Sequence, residues 1–116
     1  MTQDRSIGDW FRSALPLVLL THLSHAPQHG YGLMESLRAQ GFEVKGATVY
    51  PHLNRLQEDG YIESEWHAPD SGPARKVMTI TPEGRERLRV LRRQWGVFRD
   101  QIDAALGGVT QGDDER

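Results

Sequence analysis

The sequence predicts a mainly α-helical domain that carries a small β-wing and ends in one long helix. Three observations predict it. Apolar residues recur at helical spacing in three successive segments between Leu15 and Leu56. Two alternating stretches then flank a loop rich in turn-forming residues, His67-Ala68-Pro69-Asp70-Ser71-Gly72-Pro73. Finally, Thr81-Pro82-Glu83 is a strong helix start: a capping Thr, a Pro at the first helical position and an acid on the positive dipole end.

Taken in chain order, residues 1–12 are polar apart from Ile7 and the Trp10-Phe11 pair. They read as an arm or short helix whose aromatics must bury against something. Ser13 is placed to cap a helix that holds Pro16 in its first turn, where a missing N–H costs little. Leu15, Val18, Leu19, His22 and Leu23 form its apolar side, and Ala26-Pro27 breaks it. His29-Gly30-Tyr31-Gly32 opens a second helix with Leu33, Met34 and Leu37 on one face, and Gly41 suits its left-handed C-terminal position. After the turn Phe42-Glu43-Val44-Lys45-Gly46, a third helix runs from about Ala47 to Glu58 on Val49, Leu53 and Leu56. A start at Ala47 costs Pro51 one backbone bond and a start at Thr48 avoids this; the residues fit both.

Tyr61 to Trp66 alternates as a strand, with Ile62 and Trp66 on one face, and Arg75 to Ile80 returns as its partner, with Met78 and Ile80 inward. Helix, helix, turn, helix, strand, wing, strand is the order of a winged helix-turn-helix, here assigned to residues 13–81. A long helix follows over 82–106, and residues 107–116 read as a disordered tail.

The composition excludes several classes. The 116 residues are enough for one domain, and 37% hydrophobic with 26% charged residues is globular rather than disordered. Cysteine is absent, which removes disulfides, thiolate nucleophiles and thiolate metal sites. No basic start leads into a long apolar run, and the longest such run, Ala14 to Leu20, contains Pro16 and is too short to cross a bilayer. The expectation is a soluble, cytoplasmic protein without cofactor or membrane partner. No nucleophile elbow, phosphate-binding glycine loop or carboxylate pair marks an enzyme, so no catalytic residue is assigned. The net charge of −2 is unusual for a nucleic-acid binder. Its distribution is uneven, with acid at Asp113-Asp114-Glu115 and arginine crowded between Arg75 and Arg99.

Four runs identify a family resemblance: His29-Gly30-Tyr31-Gly32; Gly46-Ala47-Thr48-Val49-Tyr50-Pro51-His52-Leu53-Asn54-Arg55-Leu56 with Asp59-Gly60-Tyr61-Ile62; the wing Gly72-Pro73-Ala74-Arg75-Lys76; and Thr79-Ile80-Thr81-Pro82-Glu83-Gly84. In this order and spacing, over roughly residues 14–106, the chain resembles the PadR family, and specifically its short branch with a single C-terminal helix. It departs from the family pattern at Ala47-Thr48-Val49, where Gly-Thr-Leu is usual, and at Val77-Met78, where tyrosines follow the wing Arg-Lys. The resemblance implies a transcriptional regulator that binds double-stranded DNA, a homodimeric repressor on a pseudo-palindromic operator.

In a winged helix the second helix of the helix-turn-helix enters the major groove by its N-terminal residues. With Val49, Leu53 and Leu56 inward, positions 47, 48, 51, 52 and 55 face outward or flank. Thr48 and His52 suit a base edge or phosphate, Arg55 the backbone, and Lys45 the dipole end of the helix. Ala47 permits close approach to a thymine methyl. Tyr50 and Tyr31 are candidate phosphate donors, and Gly72, Arg75 and Lys76 make the wing a backbone or minor-groove probe. As surface residues, or in the case of Tyr50 and Pro51 as shapers of the helix start, each also has a purely structural explanation.

On the last helix Leu88, Leu91, Trp95, Phe98, Ile102 and Ala105 follow a heptad seam that calls for a second helix, most economically another copy of the chain. The arginines at 85, 87, 89, 92 and 93 read as its solvated flank. Some short-branch PadR-type regulators hold flat aromatic drugs between paired tryptophans of this helix. By that resemblance Trp95 is the candidate contact for a small aromatic effector, with Phe98, Leu91, Phe11 and Trp10 as the surrounding wall. Gly96 beside it marks a close approach, or Trp95 simply packs across the dimer.

Two rival readings remain. One is a winged helix used for protein–protein contact without DNA. The other is a metal-responsive regulator built on His22, His25 and His29, although Pro27 breaks the helix between the last two. No metal site is assigned.

Overall fold

The computed structural model describes residues 6–107. The elements are α1 (Ser6–His25), β1 (Gln28–His29), α2 (Gly30–Ala39), α3 (Gly46–Glu58), β2 (Ile62–His67), β3 (Arg75–Ile80) and α4 (Pro82–Ala105). This is the winged helix-turn-helix expected, with the long C-terminal helix present. The tail beyond Gly107 and the first five residues lie outside the described part.

Two helix starts differ from expectation. Helix α1 begins at Ser6, not Ser13, so the division at residues 12 and 13 is not a break and Pro16 sits in the helix interior. Proline there removes one i→i−4 bond, at a cost of about 3 kcal/mol in an unsupported helix. Burial offsets it: Leu15, Leu19, Leu20 and Leu23 are all 0–1% exposed. The N-terminal half is anchored by Phe11, whose ring stacks on Phe42 at 4.4 Å. Helix α3 begins at Gly46, one residue before the earlier of the two expected starts, which leaves Pro51 inside the helix and the Ala47 carbonyl without its usual partner.

Glycine ends α2 and α3. At the end of α2, Gly41 (φ 94°) sends its N–H to the Arg38 carbonyl while Phe42 N–H reaches Leu37, which is a Schellman closure. Gly60 (φ 83°) repeats it at the end of α3, with bonds from Gly60 to Gln57 and from Tyr61 to Leu56.

The sheet holds three antiparallel strands in the order β1-β3-β2. The β2–β3 hairpin pairs from Ile62↔Ile80 to His67↔Arg75. The short β1, with Gln28↔Met78 and His29↔Val77, is not legible in the sequence because two residues show no alternation. Ile62 is 1% exposed whereas Trp66, four residues on along the same face, is 70% exposed, so the hairpin leaves the core as it runs to the wing tip. The core packs α1, α2 and α3 against the base of this hairpin and against Leu88 of α4.

The joint between hairpin and α4 is tight. Thr81 is buried and caps α4: its Oγ1 accepts from Gly84 N–H at 2.9 Å and donates to the Gly60 carbonyl at 2.7 Å. Its backbone N–H donates to the Tyr61 carbonyl at 3.0 Å. Gly84 lies directly over that carbonyl, with no space for a Cβ.

Candidate nucleic-acid interface

Three segments present the residues singled out for DNA: the start of α2, the exposed side of α3 and the wing. Tyr31, on the first turn of α2, is 66% exposed. On α3, Ala47, Tyr50 and Arg55 are not buried and Thr48 and His52 lie beside them, opposite the buried Val49, Leu53 and Leu56. Lys45 is extended and exposed at the N-cap, with no side-chain cap on the helix; its carbonyl receives both the Thr48 and Val49 N–H groups. The remaining first-turn amides thus face outward on the positive end of the helix. In the wing Gly72 takes φ 94°, and Arg75 and Lys76 are exposed.

Among the described residues, Lys45, Arg55, Arg75 and Lys76 enter no ion pair. The pairs that do form are the i,i+3 pairs Asp9–Arg12, Glu35–Arg38 at 3.1 Å and Glu86–Arg89, the neighbours Arg99–Asp100, and Glu65–His67 at 3.4 Å on the hairpin, where His67 stands opposite Arg75. Acid lies close by on the hairpin: Asp59, Glu63, Glu65 and Glu83 border a depression, and the strand register sets Glu63 and Glu65 on the same face as Arg75, with Lys76 on the other.

Glycines at the helix starts make room for a ring. A Cβ on Gly30 would come within 2.8 Å of the Tyr50 ring and hydroxyl, and one on Gly46 within 3.0 Å of the same ring. Tyr50 therefore lies between the first residues of α2 and α3 and fixes their separation while remaining 45% exposed. Gly32 seats the imidazole of His29, 3.3 Å from where its Cβ would be. His29 is the N-cap of α2, its Nδ1 accepting from Gly32 N–H at 3.1 Å. Its Nε2 stands 3.1 Å from Nη1 of Arg75 on the wing.

His29 is the residue missed at this surface, because its sequence context suggested a histidine set instead. The three histidines are not gathered: His22 Nε2–H donates to Gln40 Oε1 at 2.9 Å, and His29 turns to α2 and the wing. Among the described residues no group of three or more His, Cys, Asp or Glu could hold a metal ion.

The seam of α4 is open. Leu88 is buried and Leu91 is partly buried against the core, but Trp95, Phe98 and Ile102 are 47%, 54% and 42% exposed. The Trp95 and Phe98 rings are tilted at 6.4 Å. Trp10 is exposed, whereas Phe11 is committed to Phe42. A groove on α4 is lined by Arg93, Gln94, Val97, Phe98 and Gln101, without Trp95.

No helix among the described residues is long and apolar enough to cross a membrane. The profile of the transcriptional regulator PadR-like family matches residues 19–90. The chain is 40% identical to the transcriptional regulator Rv3488 of Mycobacterium tuberculosis over 82 residues, 71% of this chain and 76% of that one. A crystal structure of a PadR family transcriptional regulator from Eggerthella lenta superposes with a TM-score of 0.79 at 33% identity, over 88% of this chain and 90% of the other. The PadR-like transcriptional regulator of Bacillus cereus gives 0.76 at 30% identity, over 90% and 99%. With the winged helix-turn-helix, the profile match and these relatives in agreement, the chain belongs to the PadR-like family of transcriptional regulators.

Proposed function

We propose that this regulator binds double-stranded DNA as a homodimer, represses transcription from a pseudo-palindromic operator, and responds to a small aromatic molecule held at Trp95. The observation that carries DNA binding is the set of cations without an ion-pair partner among the described residues, Lys45, Arg55, Arg75 and Lys76, around an exposed α3 whose first turn is uncapped. In this reading Ala47, Thr48 and His52 meet base edges while Tyr31, Tyr50, Lys45, Arg55 and the wing hold phosphates. The half-exposed apolar stripe of α4 supports the second copy, which would cover Trp95, Phe98 and Ile102.

The test is a gel shift against DNA upstream of the protein's own gene, with excess scrambled competitor and a salt series. A discrete, competitor-resistant complex that weakens steeply with salt is expected. A salt-insensitive association with another protein, and no complex with this DNA, would favour the contact-module reading.

Replacing Arg75 and Lys76 together by alanine is expected to weaken specific and scrambled duplexes alike. The slope of log affinity against log salt should flatten by about 1.8, since each neutralised phosphate contributes about 0.9. An unchanged slope would remove the wing from the interface. For the effector, Trp95→Ala is expected to abolish the ligand-dependent change in DNA affinity while leaving the protein folded, since the indole is half-exposed in the protomer. Survival of the response would place the effector elsewhere.

A further inference from the structure

The imidazole of His29 stands between two donors. Gly32 offers a backbone N–H to Nδ1 at 3.1 Å, and Arg75 offers a guanidinium N–H to Nε2 at 3.1 Å. A backbone amide only donates, and so does a guanidinium. A neutral imidazole accepts on one nitrogen and a protonated one on neither. Nδ1 is the nitrogen that serves as acceptor in the α2 cap, and the ring proton is then on Nε2. With the proton so assigned, the Arg75 N–H aimed at Nε2 meets a nitrogen that cannot accept it, and of the two donors at this ring only Gly32 N–H is satisfied within the protein. His29 and Arg75 are solvent-accessible, and the ring is clamped flat over Gly32, where a Cβ would crowd it at 3.3 Å. The Nε2–H and the Arg75 N–H, two adjacent donors, are satisfied together by one acceptor that faces both.

We propose that His29 Nε2–H and the Arg75 guanidinium jointly hold a single phosphate oxygen of the DNA backbone, so that the helix-turn-helix and the wing grip the same phosphodiester. This rests on the DNA-binding reading and adds to it a site that spans α2 and β3. Arg75 supplies the charge. The histidine supplies direction, because its cap to Gly32 fixes where Nε2 points.

The experiment uses a random-sequence duplex, since a backbone contact carries no sequence information. His29→Asn keeps a good capping side chain and removes Nε2. It is expected to melt close to wild type and to bind the duplex about tenfold more weakly, the effect typical of a hydrogen bond to a charged group. Arg75→Ala also loses affinity, and the double variant falls well short of the product of the two, because both act on one oxygen. Wild-type affinity for His29→Asn, or losses that multiply, would overturn the shared site.

Nitrogen-detected NMR of the full-length wild type gives a second reading that needs no variant. The Nε2–H tautomer is expected, with its resonance moving on addition of duplex; an Nδ1–H tautomer would overturn the proposal. Inorganic phosphate at matched ionic strength distinguishes the source of the anion: if it saturates the His29 signal while duplex leaves that signal unmoved, the DNA assignment fails. A wild type that binds duplex through the salt-dependent mode, with His29 unaffected, would sink this site and leave the DNA reading standing; a wild type that binds no duplex sinks both.

Discussion

Gly84→Ala is expected to cost about 3 kcal/mol or more of folding stability and to lower the melting temperature by about 10–20 °C. The added methyl would fall far inside contact distance of the Tyr61 carbonyl oxygen and within 2.8 Å of Ile80 Cγ1. Neither neighbour can yield cheaply. Tyr61 is held by its own bonds, its N–H to Leu56 and its carbonyl to Thr81 N–H, and Ile80 is buried in the core. Relief therefore means lifting α4 off the hairpin, which breaks the Thr81 cap and exposes Leu88. Gly96→Ala, in the same helix, is the control: its nearest neighbour is Arg99 at 3.8 Å, so the protomer should gain up to about 1 kcal/mol of helix propensity. Thermal melts by circular dichroism decide the matter, and a Gly84→Ala protein as stable as wild type would mean that this joint does not form.

The second large effect is on assembly. Replacing Phe98 and Ile102 together by aspartate should convert the proposed dimer to a monomer without unfolding the protomer. Both side chains are about half exposed in the protomer, so their removal costs its core little. Across a twofold interface each change counts twice. At about 1 kcal/mol for each remaining half side chain buried, the pair weakens association by about 4 kcal/mol, or a factor of about 10³ in Kd. Sedimentation equilibrium reads the monomer, and circular dichroism the intact fold. Binding to a two-half-site operator should fall with the dimer, whereas weak binding to random duplex persists through the intact α3 and wing. A double variant that sediments as a dimer would move the interface away from α4.

The order of elements could be read from the sequence because each has a periodic apolar face or an unambiguous breaker. Leu33, Leu37, Val49, Leu53 and Leu56 are buried as their spacing requires, and Gly41 and Gly60 take the left-handed positions that end their helices. Local rules failed where tertiary contact overrode them. Pro16 pointed to a helix start at Ser13, but the leucines beyond it and the Phe11–Phe42 stack hold a continuous helix from Ser6. The candidate surface divides in the same way. Exposure of Arg55 or Lys76 follows from the pattern of their neighbours. The seating of Tyr50 between Gly30 and Gly46, and of His29 against Arg75 46 positions away, depends on distances that no local spacing encodes.

The joint at Thr81 and Gly84 also makes α4 a lever. Its 24 residues span about 36 Å at 1.5 Å per residue, and its near end is bolted to the turn that closes α3. The Thr81–Gly60 bond and the close approach of Gly84 to Tyr61 couple the helix directly to the reading head. In the proposed dimer, a tilt of about 10° about Trp95, which lies about 20 Å from the near end, displaces that end by about 3.5 Å, close to one base-pair step along a duplex. A molecule wedged between two such levers would not need to touch the DNA-binding face or deform it. Changing the angle between them would already put the two heads out of step with successive major grooves.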